Sequence, residues 1–152
     1  MTSKERIELL KKVAEVAPEE WQAHENNDWE WLTFWVPTGE YDRELPPNPY
    51  IDICDLVLYD DMRSASAIIA MIDAIEKDGW TTNLHTGVYC LDPDEDWLDT
   101  EGFNFSVWKL NTEIDFNEFG DTRVEAVAKA FVQVFSDKPH KLQEDLKTGD
   151  DN

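Results

Sequence analysis

Residues 103–135 read FNFSVWKLNTEIDFNEFGDTRVEAVAKAFVQVF, and this stretch decides the fold class. Apolar and polar residues alternate along 103–107 and again along 113–116, which is the period of a half-buried strand. After Gly120 the apolar residues recur at helical spacing, and Asp121 is the predicted N-cap. Antiparallel strands followed by an amphipathic helix predict an α+β protein.

Two more helices are predicted nearer the N-terminus. The segment from Thr2 to Glu5 has the pattern of a capping box, and the apolar spacing behind it predicts a helix near 3–17. The next helix is predicted to begin after Ser64 as N-cap and to end at Gly79, because its apolar stripe has helical spacing. That stripe consists of Ile68, Ile69, Ile72 and Ile75.

Strands are predicted between these two helices and after the second. Residues 29–36, WEWLTFWV, alternate and predict a strand with both faces partly covered. Residues 37–50 contain four prolines and Gly39, which predicts a stiff loop. The apolar run 51–59 is ambiguous between a strand and a partly buried loop. Residues 80–84 and 88–91 predict two further strands.

The strands predicted at 80–84 and 88–91 are expected to form a hairpin that turns at Thr86-Gly87. An antiparallel meander then leads to the final helix. The expected architecture is therefore one antiparallel sheet of about four strands flanked by helices, in an α-β-α sandwich-like arrangement. A single domain is expected over 1–137, followed by a polar, mobile tail over 138–152.

Charge is the largest departure from an ordinary composition. The 152 residues include 34 Asp and Glu against 13 Lys and Arg, a formal net charge of −21. Direct contact with nucleic acid is disfavoured, because a phosphate backbone is bound by neutralising it. An acidic membrane surface is disfavoured for the same reason. No apolar run approaches the roughly 20 residues that span a bilayer, so a cytoplasmic protein is expected.

Catalytic signatures are missing from the sequence. The six glycines form neither a phosphate-binding loop nor a dinucleotide-binding turn, and the three histidines lie in no zinc motif. His85 is interpreted as a partly exposed turn histidine. Cys54 and Cys90 are interpreted as reduced core thiols, since acidic neighbours raise a thiol's pKa. The sequence therefore predicts no catalytic residue, no cofactor and no metal site.

The densest acidic stretch is 92–101, DPDEDWLDTE, with six carboxylates in ten residues. Asp92, Asp94 and Asp96 match the first three ligand positions of an EF-hand loop. Trp97 stands where such a loop needs glycine, and Phe103 where it needs a bidentate glutamate. A solvated acidic loop is favoured over irregular divalent binding.

An interaction surface is predicted from this loop and from the tryptophans near residue 30. Its members are Asp92, Asp94, Glu95, Asp96, Trp97, Asp99, Glu101, Trp29 and Trp31. For the tryptophans, core packing or a subunit interface is favoured over base stacking, because no basic residues accompany them. Other carboxylates can join the loop in imitating the phosphates of a duplex: Glu40, Asp42, Glu44, Asp52, Asp55, Asp60, Asp61, Glu113, Asp115, Glu118 and Asp121.

From about Tyr59 to Phe135 the chain resembles the phage ABA sandwich proteins, small phage-encoded domains with helices flanking a short antiparallel sheet. The resemblance is carried by residues 61–67, DMRSASA, by Gly79-Trp80, by Phe103-x-Phe105 and by residues 120–130, GDTRVEAVAKA. It implies a phage or prophage protein made in a bacterial cell. The family has no assigned catalytic residues, so the resemblance implies none here.

Three functions are consistent with these observations. The first is a non-enzymatic interaction protein, an anti-defence inhibitor that presents carboxylates to a basic host protein such as a nucleic-acid-binding enzyme. The second is a binder that sequesters a nucleotide-like signal in a Trp-lined pocket at a homo-oligomer interface. The third is a metal-dependent enzyme that needs Asp94 and Asp96. The first is favoured.

Overall fold

The computed structural model describes residues 1–41, 49–90 and 99–136. It has three helices, namely α1 (Ser3–Val16), α2 (Ala65–Lys77) and α3 (Arg123–Ser136). Its six strands are β1 (Gln22–Glu25), β2 (Leu32–Tyr41), β3 (Pro49–Leu56), β4 (Thr81–Cys90), β5 (Asp99–Trp108) and β6 (Asp115–Gly120). No helix in these ranges is long and apolar enough to cross a bilayer.

The strands form two antiparallel sheets, which corrects the predicted single sheet of about four strands. Sheet A has the order β1-β2-β3, and sheet B has the order β4-β5-β6. Each sheet is a three-stranded meander followed by a helix, so the order of three strands and one helix occurs twice. The α+β class and the antiparallel meander are confirmed. The tail and the end of the predicted domain lie outside the described residues.

Two prolines of the segment 37–50 lie in strands, Pro37 within β2 and Pro49 within β3. The prediction of a loop from residue 37 onward was wrong for a geometric reason. Strand β1 pairs with β2 only between Leu32 and Trp35. Beyond that point β3 is the one described neighbour of β2, and a proline is tolerated where no ladder N–H is required.

The hairpin predicted at Thr86-Gly87 is also wrong, since β4 continues through both residues. Gly87 pairs with Gly102 of β5, and the ladder extends on either side of this pair. A partner strand more than ten residues away supplies hydrogen bonds along all of β4, which outweighs the local turn preference of Gly87. His85 therefore lies exposed within a strand instead of at a turn.

The helices and both sheets bury their apolar side chains in one cluster. Trp21, in the segment after α1, joins the two halves of this core. Its ring centroid lies 5.2 Å from Phe34 of sheet A and 5.6 Å from Phe131 of α3. Phe34 and Phe131 are almost fully buried, and each such side chain contributes about 1.5–3 kcal/mol of burial free energy.

Thr122, rather than the predicted Asp121, caps α3. The Thr122 Oγ accepts a hydrogen bond from the Glu125 backbone N–H at 3.2 Å. The Asp121 N–H instead donates to the Glu125 carboxylate at 3.3 Å. The cap is therefore one residue later than the sequence indicated, and the Glu125 carboxylate binds the N–H of the residue before the cap, not that of Thr122 itself.

A second cap for α3 comes from the other half of the chain. The Asp61 carboxylate accepts hydrogen bonds from the backbone N–H groups of Arg123 at 3.0 Å and Val124 at 2.8 Å. The Thr122 hydroxyl donates to the Leu58 carbonyl at 2.5 Å. A carboxylate at a helix N-terminus also interacts favourably with the helix dipole. The loop between β3 and α2 is thereby fixed to the start of α3.

Glu118 of β6 lies opposite Phe105 and is half-buried, which raises the pKa of its carboxyl above the usual value of 4.5. The charge of Lys129 acts in the opposite direction and is the weaker cause. Because the folded pKa lies above the unfolded one, folding is favoured by protonation of Glu118. That contribution is lost as pH rises through the folded pKa.

We therefore expect Glu118→Gln to raise the melting temperature at pH 7 by about 1–3 °C. The gain should disappear below about pH 4, where the wild-type carboxyl is protonated in both states. Thermal unfolding followed by circular dichroism at the two pH values checks this. Glu113→Gln, at an exposed position between β5 and β6, is the control and should change little. An unchanged or lower melting temperature for Glu118→Gln at pH 7 would contradict the prediction.

Candidate functional site

Most of the predicted acidic loop lies outside the described residues, including Asp92, Asp94, Glu95, Asp96 and Trp97. The structure places Asp99 and Glu101 in the first half of β5, where they pair with Cys90 and Val88 of β4. The loop as an interaction surface thus stays a prediction. Within the described ranges, no group of three acidic, histidine or cysteine side chains is arranged to hold a metal ion.

Trp29 and Trp31 precede β2 instead of lying in the predicted strand. Trp29 ends a 3₁₀ turn (Asn27–Trp29) with φ at +61°, and its N–H donates to the Asn26 carbonyl at 2.9 Å. The Lys11 ammonium lies 5.7 Å from the Trp29 ring centroid, and the Arg63 guanidinium lies 4.8 Å from that of Trp31. Each ring therefore already contacts a cation of its own chain.

Other Lys and Arg side chains in the described chain make similar contacts with side chains of the same chain. Nine Lys and Arg residues fall in its ranges, and seven of them contact an aromatic ring or a carboxylate. These seven are Arg6, Lys11, Arg63, Lys109 and Arg123 on aromatic rings, and Lys77 and Lys129 on carboxylates. A cation over a ring keeps its charge, so the surface is negative because 23 Asp and Glu residues fall in the same ranges as these nine cations.

Two carboxylates assigned to the duplex-like surface have structural roles instead. Asp61 caps α3 and lies 3.5 Å from the Arg123 guanidinium. Glu118 is half-buried against the inner side of sheet B. Neither side chain presents its full charge to solvent, so the imitation of a duplex must rely on the remaining residues of that set.

The structure shows a groove of about 1020 Å³ that the sequence did not indicate. One wall is α2, from Ser66 to Asp78, and the opposite wall is the end of α1 with residues 16–21. The inner face of sheet A closes the groove at Val36 and Cys54. The groove is thus lined by the end of α1, by α2 and by strands β2 and β3.

The more buried side chains of the groove are apolar and form its floor, while over the whole lining polar surface slightly exceeds apolar surface. Aromatic side chains from Trp21 and Phe135 lie in it, together with Ala70 and Ala74 of α2. Ile69 stands beside them with 69% of its surface exposed. A single exposed isoleucine is ordinary on a protein surface, so Ile69 matters here only together with the apolar side chains beside it.

The rim of the groove carries five carboxylates and one ammonium group. The carboxylates belong to Glu19, Glu20, Asp52, Asp73 and Asp78, and the ammonium to Lys77. Lys77 lies 3.1 Å from Asp73, and Asp78 accepts a hydrogen bond from the Trp80 indole at 3.3 Å. In the described part of the chain, the other three carboxylates form no ion pair within 4 Å. The groove is therefore strongly negative.

Asp52 reaches the groove because of strand register. It is on the same side of β3 as the buried Cys54 and Leu56, and it pairs with Val36 of β2. Ile53 points to the other side and is 65% exposed. The one indication of this placement in the sequence was the spacing: Asp52 lies two and four residues before Cys54 and Leu56, so the three side chains share one side of a strand.

Cys54 lies in the floor of the groove as a free, buried thiol. Burial raises the pKa of this thiol, and the neighbouring charges of Asp52 and Asp55 raise it further. A thiol held protonated is a poor nucleophile. The burial and the raised pKa agree with the core role predicted for Cys54. Cys90, the other predicted core thiol, lies in β4.

Comparisons with known proteins do not extend this description. No protein-family model matches the chain, and neither a curated protein nor a solved structure matches it. The resemblance to the phage ABA sandwich proteins therefore remains a prediction from the motifs that carry it.

Proposed function

We propose that this protein is a non-enzymatic binding protein whose acidic surface takes up a basic partner. The observation that carries the proposal is the distribution of charge. Most described cations are held against rings or carboxylates, while the groove displays five carboxylates above an apolar floor. Complementary charge speeds association and selects basic partners.

The partner that best matches this chemistry is a nucleic-acid-binding protein of the host cell. Such proteins carry clustered Lys and Arg, which bind phosphates. A carboxylate surface can occupy the same cluster and thereby exclude nucleic acid. In a phage setting, as the motif resemblance implies, that exclusion would act as an anti-defence function.

The proposal is tested by affinity capture from a nuclease-treated bacterial lysate. At about 0.1 M salt the immobilised protein should retain a small set of basic proteins, and about 0.5 M salt should release them because screening weakens exposed charge contacts. Added duplex DNA should compete for the same proteins. An unrelated immobilised protein of similar net charge is the control for simple ion exchange.

Three outcomes would contradict the proposal: capture of the same proteins by the control, retention that does not depend on salt, or no competition by DNA. Each would show that the acidic surface does not select a nucleic-acid-binding partner.

The alternative function is sequestration of a nucleotide-like signal, and the rings of Trp21 and Phe135 in the groove favour it. The rim disfavours it, since a phosphate would approach five carboxylates. The cation of the rim, Lys77, already contacts Asp73. A rise in melting temperature on adding cyclic nucleotides would favour this alternative, because a ligand that binds only the folded state stabilises it.

A further inference from the structure

We propose that the groove between α1 and α2 binds an amphipathic helix with a basic polar face. This inference rests on the proposed function and specifies which part of a basic partner enters the protein, and where. It follows from the length of the groove, the side chains along its α2 wall and the arrangement of charge around its floor.

The length of the groove suits a short helix. Its α2 wall extends from Ser66 to Asp78. At a rise of 1.5 Å per residue, this wall is about 18 Å long, which equals a helix of about three turns. A partner segment of about 12 residues would therefore lie along the whole wall.

The surface of α2 facing the groove has the spacing that helix packing requires. Ser66, Ala70 and Ala74 lie four residues apart and form a shallow row of small side chains. Ile69 and Asp73 stand next to this row as larger neighbours. A second helix can place one row of its side chains into such a depression, with its axis about 8–10 Å away.

The charges specify the polar face of the occupant. Glu19 and Glu20 lie on the wall that follows α1, Asp52 on sheet A, and Asp73 and Asp78 on α2. Carboxylates thus lie on several sides of one apolar floor. An apolar helix face on this floor would place flanking Lys or Arg side chains near the carboxylates, and their long stems can follow the walls.

Charge also decides between a basic partner and a second copy of this chain. Each copy has a formal net charge of −21, so a second copy would bring more negative charge to a negative groove. A basic helix is attracted to the same groove. A polyamine would satisfy the rim alone, leaving the apolar floor and Ile69 without a contact.

The experiment uses a defined probe, a labelled 14-residue peptide of Leu and Lys whose leucines follow helical spacing. A peptide of the same composition with strictly alternating Leu and Lys is the matched control, because its apolar face forms only in a strand. Fluorescence anisotropy at about 0.1 M salt measures affinity, and circular dichroism measures helix formation. We expect the helical peptide to bind at least about tenfold more tightly and to gain helicity on binding.

Two matched triple variants test the location of binding. Glu19→Gln, Glu20→Gln and Asp52→Asn together remove three charges from the rim and should weaken binding about 10–100-fold. The control changes are Glu30→Gln, Glu113→Gln and Asp115→Asn, which remove three exposed charges outside the groove. The control should weaken binding by less than about threefold, since distant exposed charges are screened by salt.

Two further variants test the apolar wall without changing charge. Ala70→Trp should block the groove and weaken binding at least about tenfold. Ile69→Ser removes an exposed side chain, so it should leave the fold intact even if Ala70→Trp does not. We expect Ile69→Ser to weaken peptide binding about three- to tenfold.

Several results would overturn the inference. One is equal weakening by the two triple variants, which would indicate diffuse attraction and leave the proposed function standing. Another is tighter binding of the alternating peptide, and a third is groove-dependent binding of spermine without binding of the peptide. Failure of every basic probe together with failure of the lysate capture would remove both the inference and the proposed function.

Discussion

Gly120→Ala is expected to lower the free energy of unfolding by about 2–3 kcal/mol, because the turn from β6 into α3 has no room for a methyl group. A Cβ at this position would lie 2.7 Å from the Ala126 backbone nitrogen and 2.8 Å from the Glu125 Cβ. Both contacts involve the first turn of α3, which is buried and cannot move alone. Urea denaturation measures the change.

The control for this variant is Gly79→Ala. Gly79 follows α2 with φ at +98°, and no atom lies within 4 Å of its ideal Cβ. Alanine there meets only backbone strain, worth about 1 kcal/mol. Equal losses for the two variants would contradict the steric explanation for Gly120.

Ser64→Ala is expected to lower the free energy of unfolding by about 1–3 kcal/mol. Ser64 is fully buried, and its hydroxyl accepts a hydrogen bond from the Val57 N–H and donates one to the Val57 carbonyl, both at 2.8 Å. Alanine would leave the buried Val57 N–H without its partner, which is costly, whereas the Val57 carbonyl would keep the hydrogen bond that it accepts from the Asp60 N–H at 2.9 Å. Thermal and urea unfolding both measure this loss.

Ser66→Ala, at an exposed position two residues later, is the matched control and should change stability by less than about 0.5 kcal/mol. A comparable loss from both serine variants would contradict the assignment of the effect to the buried hydroxyl, because alanine is the better helix former and propensity alone would not lower stability. Ser64 holds the β3–α2 loop at the start of the helix that forms one wall of the groove. Its loss should therefore also weaken binding of the Leu-Lys peptide.

Ser64 also shows how a correct local prediction can have a different cause. The structure confirms Ser64 as the residue before α2, yet its side chain makes no cap hydrogen bond to the helix. The hydroxyl binds Val57, seven residues earlier. Sequence spacing located the boundary of the helix, and only the folded loop assigned the hydroxyl its partner.

The acidic character of the protein was readable from composition, but the location of the groove carboxylates was not. The sequence drew attention to the dense acidic stretch at 92–101 and to the tryptophans at 29 and 31. The groove collects isolated carboxylates from the segment after α1, from β3, from α2 and from the residue that follows α2. Residues as distant as Glu20 and Asp78 become neighbours only through tertiary packing, so no local pattern marks them.

The sequence alone determined the three helices, the α+β class and the capping box at Thr2, which the structure shows in full. Helical periodicity and caps involve residues three or four apart, so they are legible in one dimension. The tertiary structure alone decided the division of the strands into two sheets, the continuity of β4, the capping of α3 by Asp61 and the groove. Each of these depends on a partner far along the chain. The residues of one strand do not show which other strand it will pair with.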